Sequence, residues 1–407
     1  MADAAPLDCR FDAHCHLFGS GYLFREAGHM LNNALLGKYP HQSASSDDAF
    51  PKAPISGIKD FLRWLEEMAG TVGGNEADNY KTLYTETLQA NADKLPISVV
   101  PLMMDVYYLF SAPLGAHESA PSGKKAYGFR EWTLQWPKDL DPVLQKKLVP
   151  NWTERLHDRL RNRLRPSLFL DTRGFRYQRL QLVSLQRKHR NNVFPFLAVD
   201  PRRTGLIKAI LQGRIPVGKG LSFCGIKLYP RLGYHPQCEE LWPLYEWCAA
   251  HRVPITTHAD RIGFPTPGLE RLLGLDYGEY GNPKNFVPIL EAFPKLVIDF
   301  AHFGMSEPQW ADCIADLMQH YSGVFGDLSC YTSLSCLKSF KARQWQKKLV
   351  QQRTLFGTDF DVMYYVAPGI NLQEYYQNVH NCGFSTAEWS ALTCDTPKRF
   401  LGLNSGD

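Results

Sequence analysis

The sequence predicts an α/β fold, a (β/α)8 TIM barrel with long insertions after strands 1 and 2, on three observations. Eight short apolar runs recur along the 407 residues: Cys9–Phe18, Pro96–Val106, Val193–Asp200, Phe223–Pro230, Val253–Asp260, Leu296–Gly304, Val324–Tyr331 and Thr354–Phe360. Near-continuous apolarity over so few residues is what strands covered on both faces look like. Longer amphipathic stretches separate the runs, and strand–helix alternation repeated eight times argues for parallel pairing and closure into a barrel. No Gly-x-Gly-x-x-Gly follows the first run, which counts against the rival doubly wound open sheet.

Taken in order, the first run ends in Asp12-Ala13-His14-Cys15-His16 and is followed by an excursion over residues 19–80. A second excursion, residues 111–171, follows the second run. Both exceed what a minimal barrel needs, and the chain is expected to form one domain, residues 1–407, with the two excursions capping the active site. The second carries Trp132, Trp136 and Trp152, then Arg155, Arg159, Arg161, Arg163 and Arg165. These arginines read either as the solvated face of a helix or as part of a cap over the pocket. Downstream, Gln237–His251 has Leu241, Leu244, Tyr245 and Cys248 on one face, with Pro243 marking a first turn or a kink. Ser306-Glu307-Pro308-Gln309 has the form of a capping box ahead of a stripe made by Trp310, Ile314, Leu317, Met318 and Tyr321.

Composition narrows the function class. A net charge of +4, with no long Lys/Arg block, gives no footprint for nucleic acid. The longest apolar run, residues 97–110, is broken by Pro101 and Asp105 and is too short to span a bilayer. The N-terminus lacks basic and apolar signal regions, and the ten cysteines fall singly, several of them (Cys224, Cys248, Cys313) inside core segments. A cytoplasmic protein with reduced thiols is expected. Its partner is a small-molecule substrate, with no nucleic acid and no membrane, and the 13% aromatic content leaves room for a homo-oligomer interface.

His14 and His16, two residues apart on an extended backbone, project the same way and form half of a metal site. In a parallel barrel, functional groups gather at the C-terminal ends of the strands. There the fourth run places Lys227, the fifth His258, the sixth His302 and the eighth Asp359. Imidazole and carboxylate groups in that position suit Zn²⁺, with Mn²⁺ or Fe²⁺ as alternatives. A bound ion of that kind can bring the pKa of its water from ~15.7 to about 7, and a neighbouring carboxylate can carry the released proton. Singly, His258 and His302 read as core histidines and Lys227 as an ion-pair partner. Asp299 reads as a hydrogen-bond partner inside the barrel, Asp327 as a support behind the ligands, and Cys15 as packing. His235, His251, His320 and His380 read as incidental.

These segments resemble the amidohydrolase superfamily, in its amidohydrolase-related branch of metal-dependent barrel hydrolases and decarboxylases. The matching residues are Asp12-Ala13-His14-Cys15-His16, Leu197-Ala198-Val199-Asp200-Pro201-Arg202, Gly225-Ile226-Lys227-Leu228-Tyr229-Pro230, Ile255-Thr256-Thr257-His258, Phe300-Ala301-His302-Phe303-Gly304, Leu355-Phe356-Gly357-Thr358-Asp359-Phe360 and Thr396-Pro397-Lys398-Arg399-Phe400-Leu401-Gly402-Leu403. The resemblance implies metal ligation by His14, His16, His258 and Asp359, with Asp359 also the general base. It gives His302 a second metal or a substrate-polarising role. It puts Lys227 where two-metal members carry a bridging carboxylated lysine, so the centre holds one ion or two. Tyr229, Arg231 and Arg202, just past strand ends, are candidates for binding a carboxylate-bearing substrate. The expected activity is hydrolysis of a C–N or C–O bond, an amide, lactone or related group, by metal-activated water. Non-oxidative decarboxylation or hydration on the same site is the alternative, and a catalytically inactive binding barrel the third reading.

Overall fold

A computed structural model of the chain describes residues 10–17, 22, 75–91, 94–108, 114–115, 171–203, 205–263, 277–360, 362–363 and 369–403. The expected caps, residues 19–80 and 111–171 with their tryptophan and arginine cluster, lie almost wholly outside these. Each of the eight apolar runs holds one strand. In order, the elements are β1 (Arg10–Cys15), α1 (Glu76–Ala90), β2 (Ile97–Pro101), α2 (Arg173–Lys188), β3 (Phe196–Ala198), α3 (Leu206–Leu211), β4 (Gly225–Leu228) and α4 (Trp242–His251). There follow β5 (Ile255–His258), α5 (Val287–Ala292), β6 (Ile298–Ala301), α6 (Pro308–His320), β7 (Val324–Asp327), α7 (Leu334–Arg343), α8 (Lys348–Arg353) and β8 (Thr354–Leu355). The chain then runs through α9 (Leu372–Asn381), α10 (Thr386–Ser390) and α11 (Thr396–Phe400).

All strand pairs are parallel, β1 with β2 and β3 through β8 in sequence order. Backbone hydrogen bonds carry the ring across both remaining seams. Val99 N donates to Asn192 O at 2.7 Å and Met103 N to Phe196 O at 3.1 Å, joining β2 to β3. Ala13 N donates to Phe356 O and Asp359 N to His14 O, both at 2.8 Å, joining the end of β8 to β1. The result is the TIM barrel that the alternation predicts.

Two local departures from the sequence expectation matter. The β1–β2 register slips between Asp12 and Cys15, a bulge of one residue. Phe11 and Ala13 therefore pack in the inner cluster with Val100, Phe196 and Phe325, while His14 also meets groups inside the barrel. Simple alternation would have put Ala13 and His14 on opposite faces. Second, the capping box at Ser306 does not form. Glu307 is the N-cap of α6 with no side-chain hydrogen bond, and Pro308 opens the first turn. Ser306 instead donates through its backbone N (2.8 Å) and its hydroxyl to the buried Asp260 carboxylate, tying the loop after β6 to the end of β5. Pro243 lies in the first turn of α4, the less disruptive of its two expected roles.

The barrel floor is closed by Phe400 of α11, whose ring lies 5.9 Å from Phe196 on β3 and 5.4 Å from Phe325 on β7. At the opposite end β8 runs hard against β1. A Cβ on Gly357 would sit 2.6 Å from His14 Cβ, so glycine is required for the approach. The seam is clamped by Asp12, which is fully buried and accepts from Thr358 N at 3.0 Å and from the Thr358 hydroxyl at 2.5 Å. Thr358→Val keeps the shape but leaves that carboxyl short of a donor. It is expected to lower the unfolding free energy by about 1–3 kcal/mol, seen as a lower urea midpoint at unchanged slope. An unshifted midpoint would mean that the clamp does not hold the seam.

Candidate metal centre

His14 reaches across the barrel mouth to β7, where its Nδ1 donates to Asp327 Oδ2 at 2.7 Å. His16 Nδ1 donates to the carbonyl of Leu102 at 2.7 Å. With both Nδ1 positions facing acceptors, the Nε2 atoms turn the other way, each 3.3 Å from Asp359 Oδ1. His14 Nε2 and Asp359 Oδ1 are buried and make no hydrogen bond. Two imidazole nitrogens thus lie beside one carboxylate oxygen, an arrangement that a bound cation would suit. Atoms bound at about 2.1 Å to one tetrahedral ion lie about 3.4 Å apart, which matches the observed separations. Ligand atoms of His14, His302 and Asp359 all fall within 4.8 Å of one another, a group that could hold a metal ion.

The charges are set by burial and neighbours. Burial lowers the His16 pKa to about 4, which favours the neutral ring. Burial works against a charged His14 too, but the Asp327 carboxylate beside it wins and the pKa rises. Burial opposes ionisation of Asp359, yet the His14 and His16 imidazoles beside its Oδ1 hold its pKa well below the usual carboxylate range. Asp327 is likewise kept ionised against burial by His14, and it also accepts from the backbone N of His302 (2.9 Å) and of Ser329 (3.0 Å).

His302 stands in a left-handed turn (φ 64°) with Nδ1 2.8 Å from the Ser329 hydroxyl and Nε2 3.1 Å from His258 Nδ1. His258 spans the next distance outward. Its Nε2 donates to the carbonyls of Asp260 and Ile262, each at 3.0 Å, so in this conformation it meets the centre through His302. The amidohydrolase profile matches residues 129–403. The chain belongs to the amidohydrolase family. It is thereby placed among metal-dependent TIM-barrel enzymes.

No curated protein sequence matches the chain. Among solved structures it is similar to a 5-carboxyvanillate decarboxylase from Novosphingobium aromaticivorans with bound manganese and 3-methoxy-4-hydroxy-5-nitrobenzoic acid. That match has 11% identity, covers 97% of each chain and has a TM-score of 0.52. It is also similar to a 2,6-dihydroxybenzoate decarboxylase from Rhizobium, at 13% identity over 65% of this chain and 96% of that one, TM-score 0.43. A dihydroxybenzoic acid decarboxylase from a Polaromonas species, solved with manganese and 2-nitroresorcinol, matches at 16% identity over 65% and 90%, TM-score 0.44.

Around the centre of this amidohydrolase, the other expected residues divide. Lys227 is 2% exposed; burial lowers its pKa, although the Asp327, Asp359 and Asp299 carboxyls pull the other way. Its amine lies 5.8 Å from the Tyr229 ring, which in turn lies 4.4 Å from the His258 ring. Arg231 is fully buried in the turn Pro230–Leu232 that follows β4, and its charge is felt at His258. Arg202 is placed differently: its guanidinium is engaged by Asp200 (2.9 and 2.6 Å) and by the Leu232 carbonyl (3.0 Å), inside the fold. Asp299 accepts from the Thr256 hydroxyl at 3.1 Å, the interior partner expected of it. Sequence reasoning missed Ser329 and Cys330. The first was legible, because Asp327-Leu328-Ser329 puts both polar groups on one face of a strand. Cys330 was not, since its left-handed backbone (φ 63°) breaks the alternation. Asp327→Asn preserves volume but removes the acceptor for His14. It is expected to weaken divalent-cation binding about 10- to 100-fold, measured by titrating Mn²⁺ into the apoprotein.

Proposed function

We propose that this barrel is a one-metal lyase that decarboxylates a small aromatic carboxylic acid without an oxidant. The observation that carries the metal reading is that His14 Nε2 and His16 Nε2 both lie 3.3 Å from Asp359 Oδ1, with His14 Nε2 and Asp359 Oδ1 buried and unbonded. His302, or His258 after a rotation of its ring, would complete the ligand set. The mix of imidazole and carboxylate suits Mn²⁺ or Zn²⁺. A divalent ion held there would supply Lewis-acid stabilisation of negative charge on the substrate.

The residues around it suit an aromatic acid. Lys227 and Arg231 place two buried cationic side chains near His258, an environment that favours a carboxylate over a neutral substrate. The Tyr229 ring offers a planar surface beside His258. In the reaction the bond from ring carbon to carboxyl carbon breaks, carbon dioxide leaves, and a proton takes its place on the ring. Asp359, kept ionised by His14 and His16, can accept that proton from a substrate hydroxyl or water and return it to carbon. What supports a lyase over a hydrolase is that the barrel matching this one end to end is a decarboxylase. Hydrolysis of an amide or lactone is the second reading, favoured by the family's description and by the same Asp359, which could take a proton from water.

The test is an assay for carbon dioxide on Mn²⁺-loaded protein with hydroxybenzoic acids, beside an assay for acid release from amides and lactones. Carbon dioxide without acid release is expected, abolished by a chelator and restored by Mn²⁺. Acid release alone would replace the lyase by the hydrolase. Asp359→Asn is expected to lower kcat on the order of 10²- to 10⁴-fold in either case. Full activity in metal-free protein would end the metal reading.

A further inference from the structure

Asp359 presents its two oxygens to different partners. Oδ1 faces His14 and His16 without a hydrogen bond, whereas Oδ2 accepts from the thiol of Cys330 at 2.9 Å. Cys330 is 9% exposed and carries a left-handed backbone that a side chain rarely adopts, next to Ser329, whose hydroxyl contacts both His14 and His302. A carboxylate can bind a cation through one oxygen or through both. A donor fixed on Oδ2 removes the second mode and aims Oδ1 at the histidines. A thiol is ordinarily a weak donor, but here the acceptor is ionised and the surroundings exclude water, which strengthens the bond.

We infer that Cys330 is a positioning residue of the metal centre, its S–H holding Asp359 Oδ2 so that Oδ1 alone is offered to the ion. The inference rests on the metal reading above and adds to it a thiol that stands outside the ligand set.

The experiment titrates Mn²⁺ into the apoproteins of wild type, C330A and C330S by calorimetry, with thermal melts as a check on folding. C330A is expected to bind Mn²⁺ on the order of 10-fold more weakly, the size seen when a group behind a ligand is lost. At saturating Mn²⁺ its kcat falls while KM holds. C330S, which keeps a donor, retains most of the affinity. Wild-type protein that takes up no Mn²⁺ would overturn the metal reading and this inference with it. Wild type that binds while a folded C330A binds equally well would overturn the inference alone, as would equal losses in C330A and C330S. If C330A does not fold, the infrared S–H band decides. A difference spectrum between wild type and D359N shows a band released to higher frequency if the thiol donates to Asp359, and no change if it does not.

Discussion

The approach of β8 to β1 is the constraint on which the rest of the structure depends. It brings together residues 346 positions apart, Asp12 and Thr358, through two hydrogen bonds to one buried carboxyl. Burial alone lifts that carboxyl's pKa to about 7 even with these donors and the His14 amide around it, so the clamp is made against a real desolvation cost. Only because Gly357 lacks a side chain can the strand end lie directly on His14. The Asp359 amide then bonds to the His14 carbonyl, and the side chains of both residues meet on the far side of the same contact. Closure of the barrel and assembly of the centre are one event.

A second constraint is backbone strain. His302, Phe303, Cys330 and Asp359 all have positive φ without being glycine. Each such residue costs of order 1–3 kcal/mol and persists only where its surroundings over-determine it. The surroundings here are specific. Phe303 is fully buried and lies so close to Gly326 that a Cβ there would meet its ring at 2.5 Å, with Phe340 against it edge-on at 5.0 Å. That packing fixes the turn from which His302 projects. Asp327 accepts from the His302 amide and from Ser329, so the same carboxylate that orients His14 also holds the strained turns after β6 and β7.

How much of this was legible in the sequence follows from which forces leave a periodic trace. Strands buried on both faces write continuous apolar runs, and all eight were readable. The rule that barrel sites lie at strand C-termini then singled out His14, His16, His302 and Asp359, whose side chains lie near one another in the structure. What escaped was set by non-periodic features. The bulge in β1 changes which residues face inward after Asp12. Ser306 looked like a helix cap because the pattern Ser-x-x-Gln is local, whereas the pull of the buried Asp260 is tertiary. Arg202 looked like a substrate arginine because its partner Asp200, two residues away, gives no sign in sequence of facing it. The role of Asp12 is visible only once Thr358 is beside it.

Charge bears on how many ions the proposed centre would hold. Asp327 and Asp359 are ionised, while Asp299 is driven well above the ordinary carboxylate range by burial and by the nearby Asp327. Carboxyls buried so close together oppose one another's ionisation, and the cost falls on Asp299. Lys227 is buried within reach of this cluster, whose carboxyls oppose the fall in its pKa. Converting that amine to a carbamate would remove the cation and add an anion beside two existing ones, a change that only a second metal ion would offset. On the one-metal reading proposed above, a divalent ion between His14 and Asp359, where the unbonded atoms lie, would neutralise that cluster together with the Lys227 amine.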